Sequence, residues 1–210
     1  MSPSESSLLD RVPVVPVVVV DDLAQAVPVA RALVAGGLPV IELTLRTPVA
    51  LDAIRVIADE VPEILVGAGT VLTPGQAKEA KDAGAQFLVS PGATASLLAG
   101  MTDTGLPFLP GTATVSEVLA VLETGLTEMK FFPAEASGGT GFLSSIASPV
   151  PAARFCPTGG ITTASAASYL ALPNVGCVGG SWLTPADAVR RGDWAAITRL
   201  AARAAALAPA

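Results

Sequence analysis

The chain of 210 residues contains no histidine. That absence removes Ser-His-Asp and Cys-His nucleophilic catalysis, and with them histidine-ligated zinc or iron. A general acid or base must then be Glu, Asp, Lys, Tyr, Cys, a bound water or the substrate itself, and carboxylate-bound magnesium stays open. Cysteine is almost as scarce. Cys156 and Cys177 stand far apart in sequence, in neither a metal-ligand nor a redox spacing, and read as buried, reduced thiols. Charged residues make up only 14% and apolar ones 51%, which excludes a disordered chain. The net charge of -6 and the lack of a basic stretch argue against nucleic acid as a partner. The longest β-branched run, VPVVPVVVV, is too short to cross a bilayer as a helix and is followed by Asp21 and Asp22. The opening MSPSESSLLDR has no basic start before an apolar stretch, so no secretory signal and no membrane partner are expected, and the location expected is cytoplasmic.

What is present is an alternation. Short apolar runs at Val15–Val20, Val40–Thr44, Ile64–Ala68, Gln86–Val89, Pro107–Leu109, Thr127–Phe131, Arg154–Cys156 and Val175–Val178 read as strands. Between them lie Ala-rich segments of helical period: Leu23–Ala35, Pro48–Asp59, Pro74–Ala83, Ala93–Thr102, Val115–Glu123, Gly141–Ala147, Ala164–Leu170, and Pro185 to the end. Continuous apolar strands indicate a parallel sheet covered by helices. Eight such units in about 200 residues predict an α/β fold, a (β/α)8 TIM barrel forming one domain over 1–210, after a lead-in of about 11 residues. The rival, an open doubly wound sheet, lacks its GxGxxG fingerprint here.

In such a barrel, chemistry belongs at the C-terminal strand ends. Lys78 and Lys81 lie beside Glu79 and Asp82 on one helix and read as solvated surface. Lys130 does not: in TEMKFFPAE it falls near the end of a buried strand. A lysine is seldom buried without a partner or a task. Desolvation disfavours the ammonium form, and a free amine can attack a ketone to give an iminium ion, an electron sink for carbon–carbon cleavage. Such a cleavage needs a proton acceptor, and Glu42, within the apolar stretch PVIELTL, is the candidate. Arg46 offers a bidentate fork for a carboxylate, and the Thr70 hydroxyl in GAGTV could join it. A structural ion pair of Glu42 with Arg46 is the competing reading. The loops CPTGGI and GGSWL follow the last two strands, where barrels often bind phosphate. Gly159, Gly160, Gly180 and Ser181 are therefore candidate phosphate ligands.

These segments resemble the 2-dehydro-3-deoxy-phosphogluconate aldolase family, also called the 4-hydroxy-2-oxoglutarate aldolase family. The resemblance rests on PVVPVVVV, ARALVAGG, IELTLRTP, EVPEILVGAGTVL, AGAQFLVSPG, GTATVSE, MKFFPAEASGG, RFCPTGGI and GGSWLTPADA, and runs from about Val12 to Leu200. It implies a class I, Schiff-base aldolase acting on a small 2-oxo acid, without cofactor or metal, and a homotrimer. It implies Lys130 as the Schiff-base lysine and Glu42 as general acid/base working through a water. Arg46 and Thr70 would bind the pyruvyl carboxylate, Pro91, Phe132 and Thr158 would line the pocket, and Gly159, Gly160, Gly180 and Ser181 would bind phosphate. Thr112-Ala113, Ser137 and the Asp21-Asp22 pair depart from the common family pattern. The expected reaction is cleavage of 2-dehydro-3-deoxy-6-phosphogluconate, with 4-hydroxy-2-oxoglutarate or the galactonate epimer as related substrates. A phosphosugar isomerase or epimerase, a metal-dependent aldolase and a non-catalytic metabolite-binding barrel are the rival readings.

Overall fold

The computed structural model describes residues 7–207. The apolar runs form β1 (Val14–Val18), β2 (Val40–Thr44), β3 (Leu65–Gly69) and β4 (Phe87–Val89). The fifth strand is split into β5 (Phe108–Leu109) and β6 (Gly111–Thr112). Pro110 lies between the halves; it has no N–H to donate to a ladder. Three further strands, β7 (Glu128–Phe131), β8 (Arg154–Pro157) and β9 (Val178–Gly180), follow.

Every pairing among these strands is parallel. One sheet runs β5-β4-β3-β2-β1-β9 and the other β6-β7-β8. They join into a ring at two places. β5 continues through Pro110 into β6, and single bridges Phe155↔Val175 and Thr158↔Gly179 link β8 to the β9 segment. The closed parallel ring with helices outside is the expected (β/α)8 barrel.

The helices are α1 (Ala26–Ala35), α2 (Ala50–Glu60), α3 (Pro74–Asp82), α4 (Ala95–Asp103), α5 (Val115–Leu122), α6 (Gly139–Ala147), α7 (Ala166–Leu170), α8 (Ala186–Arg191) and α9 (Trp194–Ala205). Their starts are set by local chemistry. Thr73, Thr94 and Thr114 each cap a helix by accepting a backbone N–H, and Pro74 occupies the first turn of α3, where a missing donor costs nothing. Thr114 and Glu117 form a reciprocal capping box on α5.

Most boundaries fall within two residues of the sequence reading, and two starts differ by three. Leu23–Gln25 is a 3-10 turn capped by Asp22, and the α-helix starts only at Ala26. The last strand runs from Val178 to Gly180 rather than from Val175, because pairing with β1 extends into the glycines while Val175 makes a single bridge. Apolar runs locate where a strand is buried, whereas pairing decides where it ends.

Part of the N-terminal lead-in closes the lower end of the barrel. Residues 8–10 form a 3-10 turn with Leu8 and Leu9 buried. Asp10 pairs with Arg154 of β8 at 2.5 Å, and Ser7 donates to Glu128 of β7. A cavity of about 890 Å³ lies at this lower rim, lined in part by Ser7, Asp10, Arg11 and Glu128, remote from the strand ends where the candidate residues sit. Among the described residues, no helix is long and apolar enough to cross a membrane.

Candidate active site

Strand register brings the candidate residues to one end and one face. Partners across a parallel ladder point the same way. Glu42 is in register with Val17 of β1 and Gly67 of β3, and Lys130 with Gly111 of β6 and Cys156 of β8. Alternation then sends Phe131 outward, where it stacks on Phe142 of α6 with ring centroids 4.9 Å apart. Lys130 points inward. Its side chain is 6% exposed and that of Glu42 3%, and Nζ stands 3.4 Å from Oε1 of Glu42. The Phe132 ring is half-buried beside it, with Nζ 5.1 Å from the ring centroid.

The surroundings explain how two charged residues fit here. Any Cβ on Gly69 would collide with the Glu42 carboxylate, so the glycine in GAGT makes room for it. Thr112 brackets the lysine. Its hydroxyl donates to the Lys130 carbonyl at 3.2 Å, and its own carbonyl accepts the Phe132 N–H at 3.0 Å. Pro91 is half-buried, and its carbonyl abuts Gly111, the register partner of Lys130.

Arg46 and Thr70 stand together at the rim. Arg46 Nε donates to Thr70 Oγ1 at 3.3 Å, and Arg46 is exposed. Thr70 has φ 59, the left-handed region that a β-branched residue rarely enters. Backbone strain of this kind costs about 1–3 kcal/mol and gathers at ligand-binding sites. Here it accompanies a hydroxyl turned toward a guanidinium, and the pair together could grip a carboxylate.

The two glycine loops also meet. The Thr158↔Gly179 bridge sets them side by side, with the Thr158 side chain filling the space above Gly179. Gly159 and Gly160 have φ 103 and 81. Among the described residues, the amide N–H groups of Gly159, Gly160 and Ser181 donate to no protein acceptor. Free amides at a loop suit an anion. They come from the loops themselves, since α7 begins only at Ala166 and α8 at Ala186. A cavity of about 270 Å³ opens beside Ser181, bordered by Val17, Asp21 and Gln25.

Cys156 and Cys177 are buried and free. Hydrogen bonding with Cys156, reinforced by burial, pushes the Cys177 thiol well up, which suits an inert side chain. One group was not singled out from the sequence. Glu135, in the same MKFFPAE segment as Lys130, accepts a 2.8 Å hydrogen bond from the buried Tyr169. The signal available was a carboxylate between an apolar strand and a glycine loop.

Known proteins resemble this chain in sequence and in fold. The family profile for KDPG and KHG aldolases matches residues 6–200. The KHG/KDPG aldolase of Escherichia coli K12 is 57% identical over 201 residues, covering 96% of this chain and 94% of its own length. The 2-dehydro-3-deoxy-phosphogluconate aldolase of Dickeya dadantii is 55% identical over 203 residues, covering 97% and 95%. The crystal structure of KDPG aldolase from Legionella pneumophila, with pyruvate captured at low pH as a covalent carbinolamine intermediate, aligns with a TM-score of 0.92 at 46% identity, over 94% of this chain and 96% of that one. The Zymomonas mobilis ZM4 enzyme with 3-phosphoglycerate aligns at 0.90 and 50% identity, over 96% and 95%.

Proposed function

The chain belongs to the KDPG and KHG aldolase family, and on that premise we propose that it cleaves 2-dehydro-3-deoxy-6-phosphogluconate to pyruvate and glyceraldehyde 3-phosphate through a Schiff base on Lys130. It is a class I aldolase, a carbon–carbon lyase. The observation that carries the residue assignment is Lys130 itself, 4% exposed in the barrel with its amine 3.4 Å from the Glu42 carboxylate.

The Lys130 amine attacks C2 of the substrate, and the carbinolamine loses water to give the iminium ion. Glu42, through a water, takes the proton of the C4 hydroxyl. The electrons of the C3–C4 bond flow into the iminium, the aldehyde departs and an enamine remains. Protonation at C3 by the same relay and hydrolysis release pyruvate and the free amine. Protein groups supply the acid–base steps. Arg46 and Thr70 hold the pyruvyl carboxylate, while Pro91, Phe132 and Thr158 wall the pocket. Gly159, Gly160, Gly180 and Ser181 receive the phosphate. The Zymomonas mobilis structure, which holds 3-phosphoglycerate, supports a phosphorylated distal group. 4-Hydroxy-2-oxoglutarate shares the pyruvyl end, and the second name of the family supports its acceptance.

The assembly we propose is a homotrimer. Val19, Leu23, Leu72, Val115 and Leu119 are large apolar side chains left exposed on the single chain, and such surface is usually covered in an oligomer. A cytoplasmic setting fits the two unpaired thiols.

Incubation with pyruvate and borohydride, followed by peptide mass spectrometry, tests the assignment. The expected result is a reduced pyruvyl adduct on Lys130 that disappears in Lys130→Ala. Trapping retained in that variant, or no adduct on folded wild-type protein, overturns it.

A further inference from the structure

Glu135 and Tyr169 touch none of the reacting groups in this mechanism, yet Glu135 bears on the glycine loop assigned to the phosphate and Tyr169 holds Glu135. The loop after β7 is laced to the loop after β8. The Thr158 N–H donates to Phe131 O at 2.9 Å, the Ala134 N–H to Thr158 O at 2.8 Å and the Glu135 N–H to Gly159 O at 3.1 Å. The side chain of Glu135 then lies across Gly160 so closely that a Cβ there would come within 2.6 Å of Glu135 Cγ. A Cβ on Gly159 would come within 3.2 Å of the Phe132 ring. The phosphate loop is thus pressed against the segment that follows Lys130.

Glu135 is itself held from below. Its Oε1 accepts the Tyr169 hydroxyl at 2.8 Å, and Tyr169 on α7 is 1% exposed, so its ring cannot swing away. Among the described residues, the Glu135 carboxylate has no ion-pair partner. A loose carboxylate beside an anion site would repel the anion. One tied to a buried phenol is kept at a fixed place, with one of its oxygens turned to that donor. Burial, with Glu135 beside it, pushes the phenol far above its ordinary range, so it stays a donor at any working pH.

We propose that Glu135 and Tyr169 are positioning residues that clamp the Gly159–Gly160 turn in its anion-binding shape, and so determine specificity for the phosphorylated end of the substrate. The inference rests on the functional reading above. Its consequence is selective: the clamp acts on the distal phosphate and leaves the pyruvyl end alone.

The test compares Tyr169→Phe, Glu135→Ala and Glu135→Gln with wild type in two assays. One is steady-state cleavage of 2-dehydro-3-deoxy-6-phosphogluconate. The other is the pyruvate concentration needed for half-maximal borohydride trapping, which involves no phosphate. Tyr169→Phe and Glu135→Ala should raise KM about tenfold, equivalent to about 1.4 kcal/mol, with kcat nearly unchanged and trapping as in wild type. Glu135→Gln keeps an acceptor for the phenol and should restore most of the affinity. An unchanged KM in Tyr169→Phe overturns the clamp, and so does an equal loss in both assays, which marks a merely structural role. Failure of wild-type protein to trap pyruvate would instead overturn the functional reading on which the clamp depends.

Discussion

The barrel interior carries two charged clusters that share strand β7. At the lower end, Glu128 of β7 and Arg154 of β8 are register partners; at the upper end, the partners are Lys130 and Cys156. Below, Arg154 donates to both Asp10 oxygens and to Glu128, which also accepts from Ser7. These side chains are a quarter to a half exposed, so desolvation is modest and each charge is met. Above, an ammonium would have three N–H donors, and Lys130 finds one protein carboxylate at 3.4 Å, almost fully out of water. Burying charge with so few partners is expensive. The difference teaches where each cluster spends its interactions: the lower one ties the lead-in to the barrel, and the upper one leaves the Lys130 nitrogen with a single carboxylate partner.

The strongest way to break that comparison is Glu42→Gln. If Glu42 moves protons, cleavage should fall about 10²–10⁴-fold, with folding retained and pyruvate still trapped on Lys130. Steady-state kinetics and thermal melting decide it. Normal turnover with a loss of 3–5 kcal/mol in stability, the usual result of breaking a buried pair, would make the upper cluster a structural ion pair like the lower one. Arg154→Ala should do the reverse. Its partners are partly exposed and screened, so the loss should be about 1 kcal/mol, or about 2–4 °C in Tm, with trapping on Lys130 unchanged. A loss of trapping would show that the lower cluster supports the reactive one.

These two ends were not equally legible in the sequence. Lys130 stood out because MKFFP puts a rare lysine in an apolar strand, and Glu42 because PVIELTL does the same for a carboxylate. Each signal is local, and so is the strand-helix alternation that predicted the barrel. The lower cluster gave no such signal, since Asp10 and Arg154 are 144 residues apart and each looks like ordinary surface. Tyr169 and Glu135, 34 apart, meet only because α7 packs beneath the loop after β7. The φ of 59 at Thr70 was equally hidden, because threonine normally avoids it and only the surrounding fold holds it there. The break at Pro110 was written in the chain, but its effect depends on which neighbour the strand must pair with.

The smallest effect concerns acid. Hydrogen bonding to Arg154 holds the Asp10 carboxyl below the usual carboxylate range in the folded protein. A carboxyl depressed by folding stabilises the native state above its unfolded pKa of about 3.9, and that stabilisation is lost as pH falls through the lower folded value. Asp10→Asn cannot titrate. At pH 7 it should therefore be less stable than wild type, by about 0.5 kcal/mol after discounting for a half-exposed, screened pair. The gap should close below about pH 4. Glu117, also held low, by backbone N–H groups at the α5 cap, titrates in both proteins and cancels from the difference. Urea unfolding of the two proteins from pH 7 to pH 3 measures it. A gap that stays constant would mean that Asp10 contributes by hydrogen-bond geometry alone, and the lower cluster would then owe its stability to shape rather than charge.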